Sequence, residues 1–431
     1  MELLITLFSA LAKTFGLLFF YWWLWLPWAL LAAFWESLTD YAQRKYISEL
    51  KWVLLEIKIP RDTHKSPRGM EQVFAALHTV GFVPPAKKLI DKWLQWKWRN
   101  IDGKVSEWVS FEMLGLNGEI HFYVRTLEAR VPLVQSQIYA HYPEAELSQV
   151  PDYVSQLPAV LPNDEYELDG MELGLEKDDV FPIRTYVEFD EPGGGKEDIK
   201  RIDPLASLTE VLNHLQLGEY LAVQYLFRYT DAKWIEKAKE HLDKFTEQPQ
   251  KPRNDTLDKL MSGIETGVSS IFGGGQQKEE KKEEKKEGKK FMDLSPGTQD
   301  VIKAMERSFT KLGFQTGIRL IYTAPKDRFV KERSIAAFSA FRLFSTQTLN
   351  GFKPAFMPTV FRGRRKAERT VINKRWLYQR FRFRAFPEKP FTLTTEELAT
   401  VFHFPDISVH TPTLPRIEAK KGEAPTNIPI V

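Results

Sequence analysis

The densest run of chemically active side chains is Arg362–Arg384, RGRRKAERTVINKRWLYQRFRFR. Its bases are Arg362, Arg364, Arg365, Lys366, Arg369, Lys374, Arg375, Arg380, Arg382 and Arg384, against the single acid Glu368. A segment this basic must meet anions. Lys and Arg neutralise phosphates and release counterions, while Trp376, Tyr378, Phe381 and Phe383 offer faces on which bases or guanidinium groups stack. Anionic lipid headgroups suit the same residues, since a base near a membrane surface gains about 1 kcal/mol. A basic helix pairing with acidic patches of a partner protein is the third reading, and composition alone leaves all three open.

Catalytic constellations are missing from the sequence. Zero Cys excludes disulfides, thiolate nucleophiles and thiolate metal sites. The histidines His64, His78, His121, His141, His214, His241, His403 and His410 are scattered, with no HExxH helix to assemble a zinc site. A phosphate-cradling loop needs Gly, four residues, then Gly-Lys-Ser/Thr. At Gly195-Lys196, Asp190 stands where the first Gly belongs and Glu197 where the hydroxyl belongs. No acidic pair is set apart as a general acid and base. The chain therefore reads as a non-enzyme without a cofactor, and its net charge of +3 matters less than the uneven distribution of its bases.

The element that would place these bases is Phe15–Trp35, FGLLFFYWWLWLPWALLAAFW, uncharged from end to end. A spanning helix needs about 20 apolar residues, which this run supplies. Tyr21, Trp22, Trp23, Trp25, Trp28 and Trp35 are amphipathic rings suited to the headgroup level, and Pro27 would kink the helix without excluding it. Lys13 precedes the run; Arg44, Lys45, Lys51, Lys58 and Arg61 follow it, which places the bulk of the chain on the cytoplasmic side. The expectation is a single pass through the inner (cytoplasmic) membrane, with residues 1–50 as anchor and juxtamembrane helix.

Beyond the anchor, periodicity predicts an α+β protein. Strand WVLLEIKIP, a helix through Met70, Val73, Phe74 and Leu77, strands WVSFEMLGL and EIHFYVRTL joined at Asn117-Gly118, a helix over about Glu128–His141 and a strand near Ala145–Val150 follow one another. This β-α-β-β-α-β order is the ferredoxin-like, split βαβ pattern, here over 51–160. Residues 161–350 read as a second α/β domain. In it Pro151–Pro204 is loop-like apart from a strand around Pro182–Phe189, and two α-β-α units flank a charged, disordered insertion near 247–294 that contains Lys278–Lys290. An apolar face from Leu257 to Phe272 is spaced for a short helix that packs on the parent domain, an interface or a partner. Residues 351–431 read as a basic aromatic segment followed by a Pro-rich docking tail, with Leu398, Phe402, Pro405, Pro412 and Pro415 as its contact residues.

The stretch FTLTTEELATVFHFP, Phe391–Pro405, resembles the segment that precedes the nucleotide-binding core in type IV secretion and conjugative DNA-transfer ATPases. WVLLEIKIPR, GEIHFYVRT, the run Gln137–Pro143, GEYLAVQYLFR and FRLFSTQTLNGFKP are similar to stretches of uncharacterised membrane-anchored bacterial proteins associated with those ATPases. No Walker motif accompanies them, so the resemblance implies an anchored accessory or scaffold subunit working with a separate P-loop ATPase in trans, alongside membrane lipid, DNA and a second copy of itself as partners. The rival expectation is a structural envelope-assembly scaffold, oligomeric and without nucleic-acid binding.

Overall fold

A computed structural model of the chain describes residues 20–59, 66–81, 88–189, 203–231, 233–246 and 296–405. Phe15, the insertion near 247–294 with its Leu257–Phe272 face, Pro412 and Pro415 lie outside these residues. Helix α1, Trp22–Glu49, leads almost directly into strand β1, Trp52–Lys58. Helix α2 (Arg68–Leu77), helix α3 (Leu89–Asn100), strands β2 (Val109–Leu116) and β3 (Glu119–Leu127), helix α4 (Val131–His141) and strand β4 (Glu146–Val150) complete the first half. The second half runs through β5 (Tyr166–Leu175), α5 (Ala206–Asn213), β6 (Tyr220–Tyr229), α6 (Lys233–Thr246), α7 (Pro296–Phe309), β7 (Gly313–Pro325), α8 (Glu332–Phe341) and β8 (Phe352–Phe356). Helix α9 (Lys366–Arg382), strand β9 (Phe391–Thr394) and helix α10 (Thr395–Val401) follow.

Among the described residues, the nine strands belong to one antiparallel sheet in the order β4-β1-β3-β2-β6-β7-β5-β8, with β9 on β7. Strands β4, β1, β3 and β2 stand in the same relation as β8, β5, β7 and β6, so the sheet is two like halves joined where the second strand of each half pairs with that of the other. That joint runs from Val109 opposite Phe227 to Leu116 opposite Tyr220. Residues 51–160 and 161–350 are therefore continuous through β2 and β6, and the main apolar cluster holds residues of both. Asn117 and Gly118 both take positive φ, 54° and 82°, as the tight turn between twisted strands requires.

Two expectations for the loop-like stretch are corrected. Tyr166–Leu175 is an interior strand, paired to β7 on one side and β8 on the other. Its acidic residues and glycines resemble loop chemistry, and its partners lie far away in sequence. Around Pro182–Phe189, where a strand was expected, a short 3-10 turn forms at Tyr186–Glu188.

Alternation along the strands splits the sheet into two faces. Val109, Phe111, Met113, Leu221, Val223, Tyr225, Ile318 and Leu320 point to the main core. There α2 contributes Met70, Val73, Phe74 and Leu77, spaced on one helical face. Leu54, Leu114, Tyr123, Leu168, Ala222 and Ile321 point the other way and are covered by Leu377, Tyr378 and Phe381 of α9, with Tyr153, Val154, Leu157 and Leu161. Residues 351–405 are part of the fold: β8 is the outer strand beside β5, and β9 pairs with β7 from Gly313 to Thr316, where β5 no longer reaches.

Candidate functional site

The second face of the sheet carries a row of polar residues in direct register. Glu56 stands opposite Tyr123, Tyr123 opposite Glu112, Glu112 opposite Gln224, Gln224 opposite Arg319, and Arg319 opposite Glu172. Polar groups in the middle of a sheet need partners, because an unpaired buried group costs roughly 1–3 kcal/mol. The C-terminal end of α9 supplies them. Gln224 Nε2 donates to the Phe381 carbonyl at 3.2 Å, and Arg319 Nη1 donates to the Arg380 carbonyl at 3.0 Å. Arg319 Nε also donates to Glu172 at 2.9 Å, and Arg380 Nε reaches the same oxygen at 3.0 Å.

Just beyond α9, Arg384 adopts φ of 48° and turns its guanidinium into the protein. Nε and Nη2 donate to the two oxygens of Glu112 at 3.0 and 3.1 Å, and Nη1 donates to Asp152 at 2.6 Å. Both Arg384 and Glu112 are 0% exposed. Burial alone would lower the pKa of this guanidinium; the carboxylates of Glu112 and Asp152, with the hydrogen bonds to Glu112, outweigh it and hold the group charged. Tyr153 donates to Glu112 at 2.6 Å and Ser110 donates to it at 2.7 Å, so the carboxylate is fully occupied. Arg125 lies nearby, its pKa pushed down to about 10 by burial first and by the positive charge of Arg384 second.

The basic segment is thus divided. Lys374 is bound to Glu167 at 2.9 Å, the Tyr378 hydroxyl donates to the Pro158 carbonyl at 2.7 Å, and Arg382 donates to the Ala159 carbonyl at 2.7 Å. Arg380 lies 4.6 Å from the centre of the Trp376 ring. Lys374, Tyr378, Arg380 and Arg384 are therefore withdrawn from the anion-binding set, because their polar ends hold the sheet face together. Arg362, Arg364, Arg365, Lys366, Arg369 and Arg375 are exposed, and Trp376 is partly so.

The residues expected to dock a partner are corrected as well. Leu398 and Phe402 are 0% exposed and Pro405 is buried. Phe402 stands edge-on to Phe74, Phe111, Phe122 and Tyr225, at centroid distances from 5.0 to 6.5 Å. The apolar face of α10 meets this chain's own α2 and sheet. Its first turn is fixed by Thr394 and Glu397 in a reciprocal capping box, and Glu397 also accepts from the Ile183 amide at 2.8 Å. Burial pushes the Glu397 carboxyl up to about 7, against the pull of those donors.

Beside α10 the fold gathers charges that sequence order keeps apart. Glu396 accepts from Thr185 and Arg307, while Glu71 accepts from Tyr186 and Lys311. An open cavity of about 300 Å³ is lined by Ser66, Arg68, Glu71, Tyr186, Arg307 and Lys311. Its lining holds the carboxylate of Glu71 beside Arg68, Arg307 and Lys311; the bonds of Lys311 to Glu71 and of Arg307 to Glu396 tie α2, α7 and α10 together. The repeated acids of TTEEL were its one trace in the sequence; among their partners Arg307 is 89 residues away and Thr185 is 211. Among the described residues no group of His, Asp and Glu is placed to hold a metal ion.

The helices outside the sheet present a different chemistry. On α1, Trp22, Trp23, Trp28 and Trp35 are exposed, Trp28 at 74%, and Pro27 lies within the helix. The side chain of Trp25 is outside the described set. Among the described residues no helix is long and apolar enough to cross a membrane. Within α1 the apolar run stops at Glu36, and the helix continues through Asp40, Arg44 and Lys45 to Glu49. The expected span is therefore not seen as one in the part of Phe15–Trp35 that is described.

Residues 38–416 match a family model described as a domain of unknown function, DUF8128. The chain belongs to this family. The DUF8128 match takes in the whole sheet, α9 and α10, and begins inside α1, after the tryptophan-rich part. No curated protein matches the chain.

Proposed function

We propose that this DUF8128 protein is a membrane-anchored, cytoplasm-facing scaffold, an accessory subunit of a type IV secretion-like or conjugative DNA-transfer apparatus that acts with a separate P-loop ATPase. One observation carries the membrane attachment: the aromatic side chains of α1 stay exposed although α1 runs straight into a well-buried sheet. Contiguous exposed apolar surface of this kind is what a bilayer or a membrane partner would cover. Each half of the sheet, with its shared strand order, is read as ferredoxin-like, the second half carrying the extra helices α6 and α7 between β6 and β7, and the two halves form one platform. The exposed bases Arg362, Arg364, Arg365, Lys366, Arg369 and Arg375 supply a site for phosphates, with DNA as the ligand. Assignment to the transfer apparatus rests on the resemblance around FTLTTEELATVFHFP.

Extraction and co-purification test this reading. The full chain is expected to remain with the membrane after alkaline or high-salt washing, to carry a P-loop ATPase through detergent purification, and to bind single-stranded DNA with strong salt dependence. Release by salt together with no recovered ATPase would overturn it. The inward turn of Lys374, Arg380 and Arg384 favours a second reading, an envelope scaffold that binds proteins only. Membrane retention with no DNA affinity at low salt would select that one.

A further inference from the structure

Helix α3, Leu89–Asn100, buries none of its residues, unlike every sheet-packed helix described above. Leu89, Ile90, Trp93 and Trp96 fall on one side, 86%, 63%, 56% and 46% exposed. Lys88, Lys92 and Arg99 flank that stripe, and Lys97 lies within it. The one acid, Asp91, is occupied at the helix start, where it accepts from the Lys88 amide at 2.9 Å. The helix nevertheless has a fixed seat. The Trp96 ring stacks on Trp35 of α1 at 5.8 Å with planes 10° apart. Just after α3, Gly103 at φ of 64° runs against the α1 backbone at Ala42, so closely that a Cβ there would collide with the Ala42 carbonyl.

We infer that α3 is an interfacial helix that lies flat on an anionic phospholipid surface, with Leu89, Ile90 and Trp93 at the acyl boundary and its flanking bases among the headgroups. The inference deepens the proposed membrane attachment and rests on it. Tryptophan and leucine on one face with lysine and arginine beside them are the composition of helices that settle at headgroup depth. An acidic protein would match the bases but leave the Leu89–Ile90–Trp93 stripe in water. A neutral apolar groove would leave four cations against apolar surface. An anionic bilayer satisfies both, and the Trp35–Trp96 stack makes the stripe continuous with the exposed aromatic side of α1. Through this contact α3 would fix the tilt of the platform, adding a second point of attachment to that of α1.

The absence of native cysteine permits a direct test. The full chain carrying Ile90→Cys, labelled with an environment-sensitive fluorophore, is mixed with vesicles of phosphatidylcholine alone or with an equal share of phosphatidylglycerol, each containing a lipid-borne quencher. Val330→Cys, exposed on the sheet domain, is the reference position. The label at position 90 should shift to the blue and be quenched in the phosphatidylglycerol vesicles while that at 330 stays unquenched. Adding Lys92→Glu and Arg99→Glu should weaken this association about tenfold or more. Flotation of the chain with an unquenched label at 90 would overturn the assignment of α3 while sparing the membrane reading; failure to float would overturn both. A label buried without lipid, at a doubled mass, would give the stripe to a second copy and equally overturn the assignment.

Discussion

The two ends of α9 are built from the same residue types and meet opposite surroundings. At the N-terminal end Arg364, Arg365, Lys366 and Arg369 are held to little but water, the ion pair of Arg365 with Glu368 being 4.0 Å long and exposed. At the C-terminal end Arg380 reaches the half-buried carboxylate of Glu172 on β5, and Arg384, just beyond the helix, reaches the buried one of Glu112 on β2. The difference comes from the apolar residues between them: Leu377, Tyr378 and Phe381 seat one end of the helix on the sheet, and the bases nearest that seat must find partners or pay desolvation. Charge density therefore says how much anion a segment needs, and apolar spacing says whether the protein supplies that anion itself.

The sharpest way to break this comparison is to remove one inward cation. Arg384→Ala should cost on the order of 3–5 kcal/mol of unfolding free energy, because it strands Glu112 in the sheet. Urea titration measures it, and a loss comparable to a surface mutation would undo the contrast. Phe402→Ala should cost a similar, roughly 3–5 kcal/mol, since the ring lies among Phe74, Phe111 and Phe122. A docking residue would instead leave stability unchanged and weaken a partner.

A smaller effect separates charge buried by design from charge left in water. The native pKa of Glu397, raised to about 7, lies above the ordinary value near 4.5, so between those values the folded state holds a proton the unfolded state has released. Stability from this group is fully present below the lower value and declines as pH rises to the upper one. Unfolding curves of the wild type minus those of Glu397→Gln, taken across that window, isolate the slope. Least costly to the fold is the outward end: Arg364→Glu with Arg365→Glu and Arg369→Glu should shift stability by no more than about 0.5 kcal/mol per site. The same changes should flatten the logarithmic salt dependence of single-stranded DNA binding by roughly 0.7 per base lost.

Much of the first half was legible because its signals are local. Alternation marks β1, β2 and β3, the Asn117-Gly118 pair marks their hairpin, and the α2 stripe repeats at helical spacing. Strand β5 was hidden by Glu167, Asp169, Gly170 and Glu172, whose presence in a strand makes sense only beside partners such as Arg319, 147 residues away. The joint between β2 and β6 is hidden for the same reason. At α9 and α10 the sequence showed which side chains attract anions or apolar surface, and only the fold shows that the attracting surface is, for half of them, their own sheet.

The pairing of β6 with β7 has a consequence for the integrity of the chain. These strands match from Tyr220 opposite Thr323 to Tyr229 opposite Phe314, although the long segment 247–295 separates them in sequence. A backbone cut within that segment removes no rung of the ladder. Two polypeptides divided there and produced together should reassemble, leaving the segment open to carry a fused reporter or a proteolytic tag without dismantling the platform.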